Sequence, residues 1–355
     1  MSNLVRSTRM LLVAAAFAGL SPCIAATGAD PAWDQLNTDG KIAVRKGAWT
    51  EAEKAFKAAM KHAEAFPAAD VRRADTMNNL ADVYKNEHKY AEAEPLYKQA
   101  LEICEKSQGP NHTNVASCLN NLASLYFAQS DFAQAEKLSL RALAIDEKAL
   151  GANSKGLTVE IANLADLYKA EGKKQEAEAA LKRVVSIYEK AAPDSVELAS
   201  ALDSLGSFYR VEKKYIESEN VDKRALSILE KKNPDSANLA ACLSNLGNSL
   251  KGAGKLDEAE AAYKRALAIE KTLHGESHAD VARCFRNLAK LYKAQSKVGD
   301  AETQYKQALA IDEKVGAAGK ADYLKDLESY ADLLRRSNRE EEAEALEAKV
   351  EELRK

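Results

Sequence analysis

An all-α solenoid of about eight helix-turn-helix units is the fold this sequence predicts, on three observations. One motif recurs at a fixed interval along the chain. Each copy divides into two helices with one apolar face apiece. The composition favours helix throughout: Ala, Leu, Glu and Lys dominate, aromatics are only 6%, and there are only seven prolines in 355 residues. A hydrophobic fraction of 46% is ample for a buried core and argues against disorder. The formal net charge of −3 supplies no basic field of the kind that holds nucleic acid or an anionic membrane.

The repeat is legible in the opening of each second helix, an acidic or amide residue followed by Ala or Ser and then Glu. It starts at Glu51, Glu92, Gln134, Glu176, Glu217, Glu258, Asp300 and Glu342, with spacings of 41, 42, 42, 41, 41, 42 and 42. Agreement to one residue over seven intervals marks a repeat array rather than a set of ordinary domains. The units lie near 32–72, 73–114, 115–156, 157–197, 198–238, 239–280, 281–322 and 323–355. In the second unit Met77, Leu80, Ala81 and Tyr84 share one helical face, and Ala93, Tyr97 and Ala100 share another. The turns between paired helices read NEHKY at 86–90, AEGKK at 170–174 and KGAGK at 251–255. Gly172 and Gly254 there suit a left-handed residue closing the first helix. Linkers between units, such as SQGPNH and LHGESH, stop one helix with Gly or Pro and offer a polar cap to the next.

Residues 1–26 depart from this pattern. Arg6 and Arg9 precede the ten-residue apolar run Leu11–Leu20, and small residues follow up to Ala26. This reads as a secretory signal peptide, the run being short for a membrane span. The expected location is therefore outside the cytoplasm, periplasmic or secreted, with no transmembrane span in the mature chain. Leu-Ser-Pro-Cys at 20–23 resembles a bacterial lipoprotein box, although Pro22 stands where a small residue belongs. Lipidation of Cys23 would instead make the protein an outer-membrane lipid-anchored assembly factor.

The wording LNNLASLY, EAEPLYKQALEI and GPNHTNVA resembles the tetratricopeptide repeat, in the longer form of kinesin light chain, over residues 32–355. The resemblance implies a right-handed superhelical solenoid whose first helices line a concave groove, and a scaffold that binds a protein or peptide segment there. Departures from the pattern carry expectations of their own. Ser139 and Asp222 stand where Tyr97, Tyr263 and Tyr305 stand in other units, so their units are expected to pack loosely. Asp39 and Gly40 replace Leu80 and Ala81, which makes the outermost first helix a poor copy. Glu347 takes the Tyr97 position in the last unit, where a polar end covers the array.

Several residues are candidates for function. Tyr84, Tyr126, Tyr168, Tyr209 and Tyr292 recur at one position and read as a core ladder. Asn79, Asn121, Asn163, Asn245 and Asn287 recur one residue before a buried Leu. The resemblance aims them into the groove, where an amide can hold an extended peptide; the alternative is that they bond neighbouring helices. Arg283, Arg286, Lys290 and Lys293 share one face of one helix, and repeat alignment aims that face into the groove too. An acidic segment is the expected ligand, the alternative being a solvated face. Lys325, Arg335 and Arg336 extend the patch, diluted by Glu328 and Asp332.

Cys104 and Cys118, 14 residues apart across a linker, are candidates for a disulfide in an exported chain. Cys242 and Cys284, at equivalent positions of successive units, are expected to stay free, because neighbouring helices lie about 10 Å apart. His274 and His278 flank Gly275 in a linker whose repeat role explains them, so no metal is expected. No nucleophile with a base, no phosphate loop and no paired carboxylates in a unique context stand out. The chain reads as a non-enzymatic scaffold without a cofactor.

Overall fold

The computed structural model describes residues 30–316 and 320–354; the expected signal segment and Cys23 lie outside them. The described residues form sixteen α-helices and one short 3-10 turn, with no strand among them. They fall into two compact units, one up to Ile187 and one from Tyr188 onward.

In the first unit the helices are α1 (Pro31–Arg45), α2 (Trp49–Ala63), α3 (Val71–Asn86), α4 (Tyr90–Gln108), α5 (Thr113–Ala128), α6 (Phe132–Leu150) and α7 (Thr158–Glu171). Helix α8 (Lys174–Ala191) begins in this unit, and the unit boundary falls inside it. Within α1–α7, each first helix packs on its own partner (α1 on α2, α3 on α4, α5 on α6), and each second helix packs on the first helix that follows. The core is a continuous strip of small and branched residues. Ala81, Ala93, Tyr97, Leu122 and Leu125 form one of its clusters.

The outermost helix is better made than its sequence suggests. Asp30 caps α1 by accepting the Ala32 and Trp33 amides. Trp33 is buried and donates from Nε1 to Thr76 Oγ1 at 2.9 Å. Gly40, the apparent defect, is what lets Phe56 in: a Cβ there would stand 2.5 Å from the Phe56 ring. A large aromatic on α2 and a bare position on α1 thus exchange volume, and Phe56 is fully buried.

The second unit holds α9 (Val196–Val211), α10 (Tyr215–Lys232), α11 (Ala237–Gly252), α12 (Leu256–His274), α13 (Ala279–Ala294), α14 (Val298–Val315), α15 (Lys320–Arg336) and α16 (Glu340–Arg354), paired in the same way. The turns follow one design. Gly172 and Gly254 have φ of 78° and 80°, as expected, and His88, Ser130, Lys213, Ser296 and Asn338 hold the same left-handed place without being glycine. The bond that closes the turn is common to both kinds, Lys89 N–H to Tyr84 O at 2.8 Å and Lys255 N–H to Leu250 O at 2.9 Å.

The two residues expected to loosen the packing behave differently. Beside Ser139 there is a hollow of about 10 Å³, on the scale of one water. Asp222 is instead buried within a polar network. Arg210 Nη1 donates to both its oxygens at 3.0 and 2.9 Å, and Ser249 Oγ donates at 2.6 Å. A charge-assisted network has replaced the tyrosine ring there, and Gly206 leaves the room that it needs.

Candidate functional site

The first helices of the second unit carry the candidate site. Ser195, Ser236 and His278 cap α9, α11 and α13 by accepting backbone N–H groups, which fixes where each helix face begins. Between α9 and α11 lies a hollow of about 310 Å³, lined by Val196, Ser200, Asp203, Leu229, Ala241 and Cys242 among others. Glu197 and Asp203 make its polar lining acidic.

The basic stripe of α13 is mostly neutralised within the unit. Arg283 pairs with Asp280 at 2.9 Å and Glu270 at 3.3 Å, and Lys293 pairs with Asp332. Arg286 is 8% exposed, with Nε 2.6 Å from Asp326 and Nη2 3.1 Å from Asp312. Burial works against its charge, but Asp326, Asp312 and Asp322 raise its pKa all the same. Burial likewise pushes Asp326 up to about 6, against the pull of Arg286. The expectation that Arg286 meets a ligand is thus corrected. The sequence could not show that two carboxylates 26 and 40 residues further on would close over it. Charge reversal of Arg286 would strand both acids.

Lys290 is the exception. It is exposed and makes no ion pair among the described residues. Although the residue reaches solvent, partial desolvation by the surrounding helices and the charges of Arg286 and Lys325 lower its pKa, while Asp326 and Asp322 oppose them. Lys251, half-buried on α11, is lowered by burial and by Lys290 itself. The charge of Lys290 is thus felt at Lys251. Lys251, on which sequence reasoning placed no weight, takes part because α11 and α13 bring their faces together. Asn248 lies three residues before Lys251 on α11, and its Oδ1 accepts Tyr263 Oη at 2.8 Å, which leaves its NH2 group as the donor.

The recurring asparagines divide. Asn79 is buried and donates to Asn37 Oδ1 at 2.9 Å, while Asn245 donates to Asp203 at 2.6 Å. At these two positions the amides bond neighbouring first helices, the alternative to a groove contact, and the buried Asn79 is closed to a ligand. Asn121, Asn163 and Asn287 are half-buried, and Asn163 lines the hollow beside Ser139. The tyrosine ladder is buried or half-buried, and three of its hydroxyls tie consecutive repeats together within each unit. Tyr84, Tyr126 and Tyr292 donate to Glu53, Glu94 and Glu260 of the preceding second helices, at 3.3, 2.9 and 2.9 Å.

The thiols follow the repeat. Cys104 and Cys118 are buried thiols in contact, with Sγ atoms 3.4 Å apart. The Cys104 contact lowers the Cys118 pKa against burial, helped by the Asn78 amide. Burial pushes Cys242 up to about 12 and Cys284 up to about 11. One repeat further along from the thiol pair, the same two positions are Asp146 and Glu160. Burial first, and then the Asp146 charge, push Glu160 up to about 7. That carboxyl pair escapes sequence reasoning because its members are 14 residues apart on different helices. Its equivalence to Cys104 and Cys118, and to Asp312 and Asp326, marks a recurring buried polar pair at the junction of consecutive repeats. His274 and His278, expected to be accounted for by their linker, are brought ring to ring, with centroids 4.3 Å apart.

A family model described as tetratricopeptide repeat matches residues 72–148, 121–190, 197–272 and 245–314. No curated protein matches the chain. Among solved structures, nearly identical TPR-like repeats named for kinesin light chain, from Podosopora anserina, align at 22% identity and TM-score 0.51, over 59% of this chain and 99% of that one. Aspartyl phosphate phosphatase F from Bacillus subtilis aligns at 12% identity and TM-score 0.54, over 94% and 97%. A signal transduction ATPase with a tetratricopeptide repeat sensor, from Pyrococcus horikoshii, aligns at 17% identity and TM-score 0.62, over 78% of this chain and 41% of that one. At these identities the likeness is one of fold.

Proposed function

The chain belongs to the tetratricopeptide repeat family, and from that membership we propose that it is an exported, non-enzymatic scaffold that binds an extended protein segment along the first-helix face of its second unit. The observation that carries the reading is the pair Lys251 and Lys290. Both have a lowered pKa, and each lacks an acid partner among the described residues, while their neighbours Arg283, Arg286 and Lys293 all have one. Two like charges held close on a protein surface destabilise it, and an acidic side chain between them removes that repulsion. The Asn248 NH2 group and the half-buried Asn287 stand on the same two helices and can hold the peptide backbone. The acidic hollow between α9 and α11 suits the opposite charge, so the segment is bipolar, its acidic part at Lys251 and Lys290 and its basic part at Glu197 and Asp203.

Export rests on the Arg6/Arg9 and Leu11–Leu20 pattern alone. A peptide array of extended acidic, basic and mixed sequences, probed with the full chain at two salt concentrations, tests the binding. Bipolar peptides should bind best, and Lys251→Gln with Lys290→Gln should weaken them at least tenfold with the melting temperature held or raised. Unchanged binding by the folded double variant would refute the assignment of the face.

A further inference from the structure

We propose that His274, His278 and Asp280, backed by Glu270, form a binding site for a divalent transition metal of the zinc class. His274 ends α12, His278 caps α13, and Asp280 lies in the first turn of α13. One donor atom from each of the three lies within 4.8 Å of the others. The two rings stack at 4.3 Å with an interplanar angle of 22°. Below them sits Glu270, 1% exposed, whose Oε2 has no hydrogen-bond partner and lies 3.6 Å from His274 Nε2. A buried carboxylate oxygen without a donor costs free energy, and it points at the imidazole cluster.

The linker alone does not explain this set. The equivalent linker between α4 and α5 holds Gln108, His112 and Asn114 at the same three positions, with Cys104 in place of Glu270. There Asn114 donates to Gln108 Oε1 at 2.7 Å, and His112 caps α5 as His278 caps α13. The fold thus brings these positions together wherever the linker recurs. Capping accounts for His278 only. His274, Asp280 and Glu270 exchange a neutral amide pair and a thiol for an imidazole and two carboxylates, all of them metal ligands.

The donor set selects the ion. Two imidazole nitrogens with carboxylate oxygens suit Zn²⁺, Co²⁺ or Ni²⁺, whereas Ca²⁺ and Mg²⁺ prefer oxygen alone. Nδ1 of His278 accepts the Asp280 N–H as the cap and lies 3.3 Å from the Asp280 carboxylate, so ligation through Nε2 requires the ring to give up the cap and carry its proton on Nδ1, towards that carboxylate. Arg283 bridges Asp280 and Glu270 through Nη2 and acts as the competing cation. Its side chain is 38% exposed, so it can swing into water as a divalent ion takes its place.

The test titrates the full chain with Zn²⁺ and with Co²⁺ near pH 7.5. One ion per chain is expected, with a higher melting temperature reversed by chelator and visible Co²⁺ absorption of a four-coordinate site. His274→Gln, which restores the residue found at position 108, should weaken binding at least tenfold and leave the apo melting temperature nearly unchanged. Arg283→Gln should tighten binding. No stoichiometric binding, or binding that survives His274→Gln undiminished, would overturn the site.

Discussion

Replacing Glu160 by Gln should stabilise the first unit at alkaline pH and erase much of its pH dependence. Glu160 accepts a bond from the Asn120 amide, while its second oxygen and Asp146 Oδ1 are buried without donors. Burial, the charge of Asp146 and, more weakly, that of Glu147 push its pKa to about 7. Glu147 is itself paired with Arg183 at 2.5 Å, which limits its share. The folded pKa lies above the ordinary 4.5, so between pH 4.5 and 7 the folded state holds protons that the unfolded state has released. Stability therefore falls as pH rises through this window, and the cost is fully present above pH 7. A gap of that size corresponds to about 3 kcal/mol, which water at the edge of the pair reduces to about 2 kcal/mol. The amide that Glu160→Gln introduces keeps the bond from Asn120 and can donate to Asp146. Urea unfolding at pH 5 and pH 8 measures the effect, followed by tryptophan fluorescence, because Trp33 and Trp49 both lie in the first unit. The variant should gain about 2 kcal/mol at pH 8 and little at pH 5. An equal pH dependence in both proteins would refute the carboxyl-pair account.

Other consequences follow from the same geometry. Arg286→Gln should cost the second unit about 3–5 kcal/mol in denaturant unfolding, and adding Asp312→Asn and Asp326→Asn should recover most of it. A Cβ at Gly247 would stand 2.5 Å from the Tyr263 ring, so Gly247→Ala should cost about 1–3 kcal/mol, read as a lower melting temperature. In protein recovered from an oxidising compartment Cys104 and Cys118 should be joined, so alkylation after unfolding without reduction labels only Cys242 and Cys284; labelling of all four would exclude the bond. Leu12→Asp with Phe17→Asp should leave the chain in the cytoplasm on fractionation.

The repeat, the two helices in each copy and the turn geometry were all present in the sequence, because each depends on residues within one turn of helix or one loop. A left-handed residue is needed wherever the first helix closes, so Gly172 and Gly254 announced it, and His88 or Ser130 could hold the same place at modest cost. The family followed from the same local regularity. What the charged residues do was decided elsewhere. Four basic residues on one face of α13 looked alike in sequence, yet the structure buries Arg286 between Asp312 and Asp326, gives Arg283 and Lys293 their own acids, and leaves Lys290 without an ion pair among the described residues. The stacked histidines and the Asp146–Glu160 pair have the same origin. Helical period places a side chain on a face within a few residues, whereas Coulomb energy and desolvation depend on groups a full repeat away that only helix packing brings within a few ångströms.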